Sequence, residues 1–129
     1  MRMTGRCLCG AVQFSLNEKP LWQGHCHCES CRRACGAGFV SWIGIRDGAW
    51  ELSGTTLKQY PSSPGVTRQF CGNCGTQMSF ASDRWPQETH FLAANLDDPE
   101  CFAPTQHFHH DERLSWVPMD KTLKIAGLT

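Results

Sequence analysis

The sequence predicts a mainly β fold of small antiparallel sheets with one short helical turn. Three observations carry that expectation. Apolar and polar residues alternate over short segments, as at Val12, Phe14 and Leu16, which is the period of a half-buried strand. Turn-forming Gly, Pro, Asn and Asp punctuate these segments at short intervals, and no stretch keeps a long helical period. Cysteines gather at the segment ends, as Cys7-x-Cys9, Cys26-x-Cys28-x-x-Cys31 and Cys71-x-x-Cys74, where a bound metal would staple strands together.

Along the chain, the first predicted strand spans 10–16, and Asn17-Glu18-Lys19-Pro20 reads as a turn. Residues 21–25 lead, extended, into the central cysteines. Glu29 to Ala34 suits one or two helical turns, because Glu, Arg and Ala tolerate helix well and Gly36 with Gly38 would end it. Residues 39–45 are β-branched and aromatic, and Asp47-Gly48 is a hairpin signal before Trp50-Glu51-Leu52. A further strand at 56–60 is expected to break at Pro61-Ser62-Ser63-Pro64-Gly65, read as a surface loop. Residues 66–70 alternate and deliver Cys71, residues 76–80 depart from Cys74, and Cys71-Gly72-Asn73-Cys74-Gly75 caps the hairpin between them. Strands at 89–94 and 105–109 complete the set.

With 129 residues, 40% hydrophobic content and a mean hydropathy of −0.38, the chain suits a single domain, 1–129, with a modest core. The formal charge is zero, from 12 basic and 12 acidic residues, and metal-bound thiolates would make it mildly acidic. A basic nucleic-acid-binding surface is therefore not expected. Met1 to Arg6 lacks an apolar signal region, and no stretch approaches about 18 apolar residues, so a cytoplasmic protein with no membrane partner is expected. Nothing in the sequence specifies an oligomeric state. The odd cysteine count and the tight C-x-C spacing favour reduced thiols and metal over a disulfide scaffold.

The clustered thiols divide into a four-sulfur set, Cys7, Cys9, Cys71 and Cys74, and a three-sulfur set, Cys26, Cys28 and Cys31. Zinc takes four tetrahedral donors, so the first set makes a closed structural site and the second leaves one position to assign. That position falls either to a histidine, with His107, His109 and His110 as candidates, or to water or a substrate thiolate. His27 alternates with its cysteine neighbours and is expected to point away from the metal, towards a supporting or substrate contact. Arg32 and Arg33 read either as a solvated basic edge or as a carboxylate-binding pair beside an anionic site. Cys35 and Cys101 are expected to be ordinary buried thiols, and tryptophans such as Trp42, Trp50 and Trp116 core material.

The order Cys7-x-Cys9-Gly10, Cys26-His27-Cys28-x-x-Cys31-Arg32-Arg33-x-x-Gly36 and Phe70-Cys71-x-x-Cys74-Gly75 resembles the glutathione-dependent formaldehyde-activating enzyme family, also called the centromere-protein-V family. The resemblance covers nearly the whole chain, since 104–107 and Trp116 are also similar to the family's C-terminal region. It implies a zinc-stapled β-tent fold similar to that of type B methionine sulfoxide reductases. It also implies two zinc ions, a structural one on Cys7, Cys9, Cys71 and Cys74 and a catalytic one on Cys26, Cys28 and Cys31. The implied activity is that of a carbon–sulfur lyase on S-hydroxymethylglutathione, the adduct of formaldehyde and glutathione. A small thiol such as glutathione would then be the partner, His107 or His27 would move the proton, and Arg32 or Arg33 would hold a carboxylate. Two other readings stand beside it: a non-catalytic zinc module that presents an interaction surface, and a redox protein using Cys35 or Cys101.

Overall fold

The computed structural model describes residues 2–127. The first strands, β1 (Met3–Arg6) and β2 (Gln13–Leu16), pair antiparallel, and β5 (Trp50–Ser53) adds to β2 to give a three-stranded sheet. The other strands are β3 (Trp22–Cys26), β4 (Val40–Arg46), β6 (Leu57–Ser63), β7 (Val66–Cys71), β8 (Gln77–Ser82), β9 (Glu88–Leu92), β10 (Gln106–Phe108) and β11 (Lys124–Ile125). They form an eight-stranded sheet in the order β11-β10-β3-β4-β9-β8-β7-β6. A mainly β fold with one short helix is thus what the chain adopts. Among the described residues that helix is α1 (Glu29–Cys35). The Cys28 sulfur accepts from the Cys31 amide to start it, and Gly36, left-handed at φ 62°, ends it by donating its own amide to the Arg32 carbonyl.

Directly opposed residues on neighbouring strands share a sheet face, so the register sorts the large sheet into two surfaces. Gln23, Ile43, Phe91 and Ser79 are opposed in turn and share one face. From that face Ile43, Ile45 and Phe91 pack against Met3, Val12, Phe14 and Leu16, all buried, to make the main core between the sheets. Phe14 stacks on Phe91 with centroids 5.3 Å apart. The opposite face carries Trp22 across from Gly44, His90 beside Gly44, Phe80 beside His90 and Arg68 beside Phe80. A Cβ on Gly44 would stand 2.3 Å from the Trp22 indole, so the glycine lets the ring lie flat on the sheet.

Three local expectations change. Asp47-Gly48 does turn the chain, with Gly48 at φ 93° and the Ala49 amide on the Arg46 carbonyl at 3.0 Å, but it closes no hairpin. It carries the chain from β4 in the large sheet to β5 in the small one, because the apolar side of β5 packs against β2 and the core. Pro61 does not break its strand. β6 runs through it because it is the edge of the sheet, where a missing amide costs no ladder bond, and the register shifts between Tyr60 and Ser63. β10 pairs parallel with both β3 and β11, having reached them by a crossover through the 3₁₀ turns at Ala93–Asn95 and Pro99–Cys101 rather than by a hairpin. Trp116 is also outside the core, 72% exposed, because the segment that carries it adds no strand there.

Candidate functional site

The four-sulfur set joins the two sheets. Cys7 and Cys9 follow β1, Cys71 ends β7, and Cys74 lies in the turn to β8. Their sulfurs all lie within 4.8 Å of one another, with Cys7 to Cys9 at 3.6 Å and Cys9 to Cys71 at 3.8 Å. Donors about 2.3 Å from a tetrahedral zinc stand about 3.8 Å apart, so the set already has the dimensions of a closed metal site. Hydrogen-bond donors surround it as thiolates require. The Val12 amide and the Asn73 side chain each reach a sulfur at 3.3 Å, while the Thr56 and Thr76 hydroxyls lie 3.2 Å from Cys71 and Cys74. The hydroxyl and amide of Thr76 pull the Cys74 thiol down to about 5, whereas burial pushes Cys7 up.

The three-sulfur set is built by the end of β3 and the start of α1. Cys26 closes the strand, Cys28 caps the helix, and Cys31 sits in its first turn. Their sulfurs again lie within 4.8 Å of one another. Hydrogen bonds from Cys26 and Cys31, with help from Ser30, hold the Cys28 thiol far below its ordinary range. Cys26 is pushed far above its own by sharing protons with Cys28 and Cys31 and by burial. The three thiols therefore titrate as one coupled set, and a dication held by them would expel their protons. Among the described residues, no histidine or carboxylate donor joins these three sulfurs within 4.8 Å, so the candidates His107, His109 and His110 supply no fourth ligand.

All three cysteines lie on the wall of a cavity of about 860 Å³ over the face of the large sheet opposite the main core. Its floor is aromatic, with Trp22, Trp42, Phe80 and Phe108. The expected proton-transfer residues, His27 and His107, do not line it. Strand alternation turns both to the back of β3 and β10, where His27 Nε2 and His107 Nδ1 meet at 3.0 Å and His107 Nε2 donates to the Asp120 carbonyl at 2.9 Å. His27 is fully buried, and that burial, with the neighbouring His107, lowers it to about 4. Of the two arginines, Arg32 spends its Nε on the His27 carbonyl at 3.2 Å and is not at the cavity. Arg33 stands at its edge and pairs with Glu29 at 2.8 Å.

The cavity brings forward Glu112, Glu88, His90 and Arg68, which sequence reasoning left aside, and gives His109, a candidate metal ligand in the sequence, another place. His109, at φ 52°, turns into it with Glu112 3.5 Å away, and Glu112 in turn accepts from the Glu29 amide at the start of α1. His90 and Glu88, 3.5 Å apart, share the floor with the Trp22 indole, which donates to Glu88 at 3.2 Å. Arg68 is 6% exposed and lies over the Phe80 ring at 4.9 Å. Strand register, which no short motif encodes, puts His90 and Arg68 on the cavity face of the sheet, and the left-handed turn at His109 adds the third group. Cys35 and Cys101 are half-buried and belong to different apolar clusters, Cys35 at the end of the helix against Cys26, Cys31, Val40 and Trp42, and Cys101 against the main core.

Residues 2–112 match the family model described as glutathione-dependent formaldehyde-activating enzyme. The chain is 28% identical over 131 residues to a Halomonas elongata protein named for that same activity, an overlap covering 93% of this chain and 82% of that protein. It is 35% identical over 78 residues to an uncharacterised lyase of Schizosaccharomyces pombe, covering 60% of this chain and 56% of that one. A crystal structure of a Rhodobacter sphaeroides protein superposes with a TM-score of 0.61 at 25% identity, over 74% of this chain and 88% of the other.

Proposed function

The chain belongs to the glutathione-dependent formaldehyde-activating enzyme family, and on that premise we propose that it is a zinc-dependent carbon–sulfur lyase acting on the adduct of a thiol with an aldehyde, S-hydroxymethylglutathione or a close relative. The observation that carries this reading is a three-thiol metal set on the wall of a cavity, with no fourth protein donor among the described residues. A closed four-ligand site would hold structure and do nothing else. Zinc held by Cys26, Cys28 and Cys31 would supply a Lewis acid that favours the deprotonated form of a substrate sulfur. We assign a second zinc to Cys7, Cys9, Cys71 and Cys74, with a purely structural role.

In the cleaving direction the C–S bond breaks with its electron pair left on sulfur, the hydroxyl proton leaves to a base, and free aldehyde departs. Synthesis reverses each movement. His109 is the base that the geometry favours, since it lines the cavity with the three sulfurs and has Glu112 to orient its ring. His107 and His27 then act by position, holding β10 to β3 behind the sulfurs. The aromatic floor excludes water from the reacting carbon.

The test is a pair of titrations of the metal-loaded protein, zinc or cobalt, with glutathione and with S-methylglutathione. The thioether keeps both carboxylates but cannot become a thiolate, so only the sulfur–metal interaction is removed. Glutathione should bind at least about tenfold more tightly and alter the cobalt–thiolate absorption, a difference of about 1.4 kcal/mol or more. Equal affinity, with an unchanged spectrum, would overturn the lyase reading.

A further inference from the structure

Among the described residues, Arg68 is a largely buried cation with no protein acceptor. It sits in β7, 6% exposed, on the cavity face of the sheet, opposite Phe80 of β8. Among the described residues its guanidinium makes no hydrogen bond and no ion pair, and its one recorded partner is the face of the Phe80 ring at 4.9 Å. A guanidinium carries five donors, and these keep access to the cavity, since among the described residues the one fully enclosed side-chain polar atom without a partner is His27 Nδ1, so they are free to meet an acceptor on a ligand.

The carboxylates around the same cavity are all engaged elsewhere. Glu29 pairs with Arg33 at 2.8 Å, Glu112 takes the Glu29 amide and faces His109, and Glu88 accepts from Trp22 and faces His90. The other cations differ from Arg68 as well. Arg33 has its ion pair, and Arg84 is exposed at the rim, over Trp85 at 5.3 Å. Arg68 also lies within electrostatic reach of α1, where its charge pulls the Cys35 thiol down against the rise caused by burial. Phe80, beneath the cation, packs against the apolar cluster that includes Cys26 and Cys31 of the three-sulfur set.

We propose that Arg68 is the carboxylate-binding residue of the cavity, so that the thiol adduct processed there carries a carboxylate which docks over the Phe80 ring. This rests on the reading of the cavity as the site of a thiol adduct, and it moves carboxylate recognition from Arg32 and Arg33 to a residue of β7. A planar, always-charged fork over an aromatic ring binds a carboxylate bidentately and rejects a neutral ester. The alternative role, offsetting the charge of the sulfur cluster, would make Arg68 necessary for metal binding.

The experiment titrates the zinc-loaded full chain with glutathione and with its diethyl ester, read by calorimetry and by the fluorescence of the cavity tryptophans Trp22, Trp42 and Trp85. Wild type should bind the diester about tenfold more weakly or worse. Arg68→Met should bring glutathione down to the level of the diester with zinc content unchanged, and Arg68→Lys, which keeps charge without the fork, should fall between. Arg68→Lys also carries the test if the methionine variant does not fold. The proposal is overturned if wild type shows no preference, if either variant keeps the full preference, or if the variants lose zinc in step with affinity. Failure of the sulfur–metal reading is distinguishable. It makes glutathione and S-methylglutathione equal while leaving the preference for either over its diester intact.

Discussion

His90 shows how one residue's neighbours set its chemistry. It is 7% exposed, wedged between Trp22 and Phe80, and burial lowers its ring below the ordinary value of 6.5 even though Glu88 and Asp47 pull the other way. The folded protein thus favours the neutral imidazole. As pH falls below about 6.5 the unfolded chain takes up a proton that folded His90 resists, so this group's contribution is full above 6.5 and is lost as pH drops towards the lowered folded value. His90→Gln should flatten the acid side of the stability curve. Melting temperatures of wild type and variant between pH 7.5 and 5 should converge as pH falls, and parallel curves would place the acid sensitivity elsewhere. At the same scale, the alternation of His27 with its cysteine neighbours already turned it away from the metal, whereas the place of His107 behind it depends on β10 lying parallel to β3.

Among the elements, β6 and α1 illustrate opposite degrees of legibility. The helix was readable almost to its ends, because Glu29 to Ala34 and a glycine stop are local signals, and the structure closes it at Cys35 and Gly36. β6 was misread at Pro61, since a proline excludes a central strand but not an edge, and edge position is a property of the assembled sheet. Pro61→Ser should therefore change stability by no more than about 0.5 kcal/mol, as for other exposed sites. Chemical denaturation would check this, and a loss of several kcal/mol would show that the register shift between Tyr60 and Ser63 depends on the ring. The Asp47-Gly48 turn is the intermediate case. Its conformation was evident from two residues, whereas its destination in the small sheet follows from which core accepts Trp50 and Leu52.

Across the whole molecule, the two cysteine sets carry different loads. A metal held by the four-sulfur set would tie the end of β1 to the β7–β8 hairpin and so lock the small sheet to the large one. A structural zinc site contributes on the order of 10 kcal/mol to folding, comparable to the whole stability of a small domain. Cys74→Ala should accordingly abolish cooperative folding, with loss of metal. Cys28→Ala should leave a folded protein one metal ion short, weakened by about 1 kcal/mol through the lost helix cap. Metal analysis and thermal melts of the two variants decide the matter. Equal folding and full metal content in both would refute the division.

By itself the sequence determined the β class, most strands, the helix and the partition of seven thiols into two sets, because alternation, capping and ligand spacing are written in neighbouring residues. Only the tertiary structure decided that no histidine closes the three-sulfur set and that His109, Glu112, His90 and Arg68 face the same cavity. These groups come from β7, β9 and the segment after β10, and what brings them together is strand register across a mixed sheet. A shift of one residue in that register would turn Arg68 and His90 to the other face.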